Sequence, residues 1–113
     1  EVKDLILDFV RHQKPIGALC MSPTTLAKAL EGSEFHAHLT VGSTEEPSPY
    51  EIGAISEGMN RVGAVAEMKT VKEVLIDKDL KIVTAPCYMM EALIDQVYEN
   101  ARTCVKEVIQ LAK

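Results

Sequence analysis

Pro15-Ile16-Gly17-Ala18-Leu19-Cys20-Met21-Ser22-Pro23 decides the fold of this chain, because it runs an apolar strand into a cysteine and then into a helix start. Ile16 to Leu19 form a short apolar run bounded by Pro15. Ser22 is a favoured N-cap residue, and Pro23 falls at the first helical position, where its missing N–H leaves no bond unmade. A strand that hands a residue directly to a helix is a nucleophile elbow, which needs small residues two before and two after the nucleophile because the backbone turns sharply. Ala18 and Ser22 occupy those places.

The geometry carries a chemical expectation. A thiol ahead of a helix N-terminus meets unsatisfied N–H groups and the positive end of the helix dipole, both of which favour the thiolate. Cys20 is therefore the candidate nucleophile. The Met21 N–H points into the same space and is the candidate donor to an oxyanion formed when the sulfur attacks a carbonyl. The alternative is that Cys20 is a small buried hydrophobe at a strand end.

Working outward, Val2, Leu5, Ile6, Phe9 and Val10 mark one face of a helix lying on a sheet, ended by Lys14-Pro15. His12, in its last turn, suits a capping role. After the elbow a short helix carries Leu26, Ala27, Ala29 and Leu30, stopped at Gly32. Ala37 to Val41 read as a strand with His36, His38 and Thr40 on one face and Ala37, Leu39 and Val41 on the other. A His-x-His pair can begin a metal site, but zinc needs a third ligand and none is evident nearby, so an edge pair is the simpler reading. The polar run Gly42 to Pro49 reads as an exposed loop at the rim of a crevice or between subunits.

Ile52, Ile55, Met59 and Val62 give another helix, stopped by Gly63. Val71 to Ile76 and Ile82 to Thr84 read as strands joined by a turn over Asp77 to Lys81. The last and longest helix is expected from about Met89 to Ala112, with Leu93, Val97, Ala101, Cys104, Val108 and Leu111 on its apolar stripe. Cys104 is expected to be inert packing, and Cys87 the second thiol, ranked below Cys20 because no capped helix start follows it.

Composition sets limits. The 113 residues make one domain, with 47% hydrophobic and 26% charged residues, a globular balance. A net charge of −5 excludes attraction to nucleic acid or an anionic membrane by the global field. No apolar run approaches a membrane span. Three cysteines without C-x-x-C spacing suggest neither a disulfide framework nor a zinc knuckle, and they point to an intracellular, reducing compartment. The chain opens at Glu1 on a helix, and its strands are few for a sheet covered on both faces. The expectation is a single domain over 1–113 that lacks its N-terminal half.

Lys14-Pro15-Ile16-Gly17, Cys20-x-Ser22-Pro23, Leu39-Thr40-Val41-Gly42 and Lys81-Ile82-Val83-Thr84-Ala85-Pro86 with Tyr88-Met89 together resemble the ElbB-like proteins of the PfpI and Parkinson-protein superfamily, the class I glutamine amidotransferase-like group. The resemblance spans the chain and covers the C-terminal half of the family. It implies an α/β, flavodoxin-like three-layer sandwich with a mostly parallel sheet, with Cys20 at the family's nucleophilic cysteine. It also implies a glutamate from the absent half as proton partner. Glutamine hydrolysis needs a histidine after a late strand, and Thr84 to Tyr88 contain none, so that activity is not expected.

The resemblance thus suggests a cofactor-free, metal-free, cysteine-dependent conversion of small aldehydes such as glyoxal and methylglyoxal to hydroxy acids. A noncatalytic redox-sensing or binding protein, with Cys20 oxidised to a sulfinic acid, is the alternative. The expected partners are the aldehyde and either a second copy or the missing half. The compartment is cytoplasmic, or mitochondrial in a eukaryote.

Overall fold

The computed structural model describes residues 2–45 and 48–113, with the main chain alone at Tyr88. In chain order it contains helix α1 (Val2–Arg11), strand β1 (Ile16–Leu19), helix α2 (Ser22–Ala29), strand β2 (His38–Leu39), helix α3 (Ile52–Arg61) and strand β3 (Val65–Ala66). Strands β4 (Leu75–Asp77) and β5 (Ile82–Ala85), a 3₁₀ turn (Cys87–Met89) and helix α4 (Ile94–Ala112) complete it.

The sheet is built around β5, whose four residues are all buried. Such a strand is covered on both faces and reads as a continuous apolar run. β1 lies parallel to it, from Ile16 opposite Ile82 to Leu19 opposite Ala85. β4 pairs antiparallel on its other side, from Leu75 opposite Thr84 to Asp77 opposite Ile82, as the expected hairpin. β2 and β3 form a second, parallel pair.

Alternation along β5 then separates two cores. Ile82 joins Ile6 and Val10 of α1, Leu26 and Ala27 of α2, and Ile52 and Met59 of α3. Val83 and Ala85 face the other way, onto Val97 and Cys104 of α4. Helices therefore lie on both sides of the small mixed sheet, the α/β arrangement expected. α4 comes so close to β1 that a Cβ on Gly17 would stand 2.9 Å from Val108 Cγ2, and only glycine leaves room there.

Several boundaries differ from the sequence reading, each for a local reason. β2 is two residues long rather than spanning Ala37 to Val41. The Thr40 N–H is taken by the buried Thr84 hydroxyl at 3.1 Å, and the His38 N–H by the Asp77 carboxylate at 2.8 Å, so side chains replace ladder bonds there. β4 starts at Leu75 rather than Val71 because Glu73 and Thr70 close a turn, the Thr70 N–H donating to Glu73 Oε1 at 3.0 Å. β3, two residues beyond Gly63, shows no alternation to detect.

The last helix starts at Ile94, not Met89. Met90 and Leu93 are extended, and Gln96 Oε1 accepts the Leu93 N–H at 2.9 Å to begin it. Its stripe is buried at Val97 and Cys104, while Leu93 and Ile94 are exposed. On α1 only Ile6 and Val10 of the expected face are buried; Val2 and Leu5 are exposed. The loop expected to be exposed begins buried, with the Ser43 N–H 3.4 Å from Met90 Sδ. Glu46 and Pro47 of that loop, like Glu1, lie outside the described residues.

Candidate active site at the paired ends of two strands

Cys20 leaves β1 with φ 58°. This is the left-handed region that costs a non-glycine residue about 1–3 kcal/mol and is held only where neighbours enforce it. The enforcement is visible: the Cys20 N–H donates to Ala85 O at 3.0 Å, extending the β1–β5 ladder into the turn. α2 begins one residue earlier than expected. Met21 is its N-cap, Ser22 is helical, and neither supplies a side-chain cap, because the sharp turn at Cys20 already brings Met21 into helical geometry. Pro23 lies in the first helical turn and is buried. The Met21 N–H has no acceptor among the described residues, while the Met21 carbonyl accepts the Thr24 N–H and hydroxyl at 3.0 and 2.6 Å.

The neighbouring strand ends the same way. Cys87, just beyond β5, has φ 48°, and its N–H donates to Asn100 Oδ1 at 2.8 Å. Asn100 is buried in α4, and its amide donates on to Glu73 O at 2.9 Å, so one side chain ties the turn to the segment before β4. Because β1 and β5 end side by side, Cys20 packs against the buried cluster that holds Cys87.

The two thiols differ in setting. Cys87 is 1% exposed, and burial, with Cys20 beside it, pushes its pKa up to about 12. It stays a thiol at ordinary pH. Cys20 is only partly buried and lies on the seam between the two cores. Cys104, 2% exposed, is also raised by burial, and its S–H lies 3.6 Å from Val83 O. It is packing, as expected, but within the same cluster as the other two.

The histidines are engaged elsewhere. His36 Nδ1 lies 2.8 Å from Gly63 O, and His38 Nδ1 lies 2.6 Å from Glu67 Oε2. Glu67, just past β3, is the acidic neighbour that the sequence did not reveal. No group of three metal-ligating side chains occurs among the described residues. His12 Nδ1 bonds Asp8 O at 2.8 Å in the last turn of α1, as a cap does. The grooves along α4, one lined by Tyr98, Val105 and Ile109, and a larger one between α1 and α2, lined by Val2, Thr24 and Lys28, do not include Cys20, so chemistry rather than concavity singles it out.

The sequence singled out Cys20 and Met21 as candidates and gave no sign of Cys87 lying beside Cys20, nor of Asn100 at the Cys87 turn beyond an asparagine on an otherwise apolar helical stripe.

No protein-family model matches the chain. It is 31% identical over 112 residues to the rat ES1 protein homolog, mitochondrial, covering 98% of this chain and 41% of that protein. It is equally 31% identical over 112 residues to the human glutamine amidotransferase-like class 1 domain-containing protein 3, mitochondrial, covering 98% and 40%. The chain thus spans about two-fifths of the length of these curated relatives. An isoprenoid biosynthesis protein with amidotransferase-like domain from Ehrlichia chaffeensis has the same fold, with a TM-score of 0.82 at 20% identity over 99% of this chain and 47% of that one. No helix is long and apolar enough to cross a membrane among the described residues.

Proposed function

Starting from a chain homologous to part of the glutamine amidotransferase-like class 1 proteins, with their flavodoxin-like α/β fold, we propose that it carries the nucleophile of a cysteine-dependent, cofactor-free enzyme. The substrates are small dicarbonyls such as glyoxal and methylglyoxal, and the products are hydroxy acids. The observation that carries this reading is the left-handed Cys20 at the end of β1, with the uncommitted Met21 N–H beside it.

The Cys20 sulfur adds to the aldehyde carbon, forming a C–S bond and an alkoxide that the Met21 N–H receives. The hydrogen on that carbon leaves as a proton and returns to the neighbouring carbonyl carbon, whose oxygen takes up the proton the thiol gave up. The alkoxide carbon becomes the carbonyl of a 2-hydroxy thioester. Water then releases the hydroxy acid and restores the thiol, so aldehyde plus water accounts for every atom. The family resemblance assigns the proton relay to a glutamate outside this chain. Glutamine hydrolysis is left out of the proposal, because the position after β5 holds Cys87 and both histidines of the His-x-His pair are engaged at Gly63 and Glu67.

The partner is the polypeptide that completes the sheet, as the part of the relatives' length that this chain does not span or as a second copy. β1 has no strand on its outer side among the described residues, and Tyr98, Val105 and Ile109 of α4 are exposed. The mitochondrial names of both curated relatives favour the mitochondrial compartment over the cytoplasm.

In the full-length protein, Cys20→Ser should lower hydroxy-acid formation from methylglyoxal on the order of 1000-fold or more, while Cys104→Ala retains it. Equal loss in both variants contradicts the reading.

A further inference from the structure

We propose that Cys20 and Cys87 are a disulfide-forming pair, in which a hydroperoxide oxidises Cys20 and the buried Cys87 thiol resolves the product. The fold places them together. Leu19 is opposite Ala85, so Cys20 and Cys87 stand one and two residues beyond the same rung. Neighbouring strands are about 4.8 Å apart, and disulfides span Cα separations of about 4.4–6.8 Å. Both residues have positive φ, and Cys20 packs against the buried cluster that contains Cys87.

The difference in burial sets the order of events. Cys20 is partly open to solvent, whereas Cys87 is 1% exposed, so the oxidant meets Cys20 first. The peroxide O–O bond breaks, one oxygen goes to the Cys20 sulfur as a sulfenic acid, and water or an alcohol leaves. Cys87 sulfur then attacks the Cys20 sulfur. An S–S bond forms, the S–O bond breaks, and the hydroxyl departs with the Cys87 proton as water. Cys104 is held instead by the main chain, its S–H 3.6 Å from Val83 O.

This pairing removes the nucleophile reversibly and forestalls the irreversible sulfinic acid. It requires only the thiol geometry, so it stands or falls apart from the aldehyde reading. The test is one equivalent of hydrogen peroxide added to the reduced full-length protein, followed by intact mass and non-reducing peptide mapping. The expected result is loss of two hydrogens, a peptide pair joined through Cys20 and Cys87, and reversal by dithiothreitol. Cys87→Ala should instead gain oxygen at Cys20, trappable by dimedone, and Cys104→Ala should keep the linkage. Oxygen accumulating on wild-type Cys20 without a linkage, or a linkage through Cys104, overturns the proposal. The wild-type map decides the matter even where Cys87→Ala does not fold.

Discussion

The ends of β1 and β5 use one backbone device for two different outcomes. Each strand terminates in a cysteine with positive φ, 58° at Cys20 and 48° at Cys87, and each cysteine amide is held by an acceptor about 3 Å away. Beyond Cys20 the chain enters α2 and leaves the sulfur partly open. Beyond Cys87 it enters a short 3₁₀ turn packed under α4, and burial keeps the proton on that sulfur. Local conformation alone does not make a reactive thiol; the element that follows and the layer that covers it decide.

The sharpest way to break the comparison is to release the second turn. Asn100→Ala leaves the Cys87 N–H and the Glu73 carbonyl without their partner inside the protein, which should cost about 2 kcal/mol. The denaturant midpoint should fall at an unchanged slope, and Cys87 should become accessible to thiol reagents in the native protein. An unchanged midpoint would mean that Asn100 does not hold the turn.

A smaller effect sharpens the same contrast through pH. The Cys87 pKa is raised from the ordinary 9.0 to about 12 in the folded chain, so above pH 9 the unfolded chain loses a proton that the folded chain keeps. The stability associated with Cys87 is therefore fully present below pH 9 and is lost as pH rises from about 9 to about 12. Urea titrations across that window should show a decline that is shallower in Cys87→Ala. Equal slopes in the two proteins contradict the assignment.

What was legible in the sequence follows from the range of each interaction. Cys20, Ala18, Ser22 and Pro23 lie within a few residues, so their local pattern gave the elbow even though the helix starts one residue early. The β4–β5 hairpin was equally local. The contact between Cys20 and Cys87 crosses 67 positions and exists only because β1 pairs with β5. The shortening of β2 depends on Thr84 and Asp77, residues that a period-two reading counts as strand and turn rather than as bonding partners. His38 likewise looked unattended until β3 brought Glu67 beside it.

The most direct measurement is the order in which the three cysteines of the native protein react with iodoacetamide, followed by intact mass and peptide mapping. The account predicts one fast addition at Cys20, with Cys87 and Cys104 labelled only after unfolding. Labelling of Cys87 or Cys104 before Cys20 would contradict it.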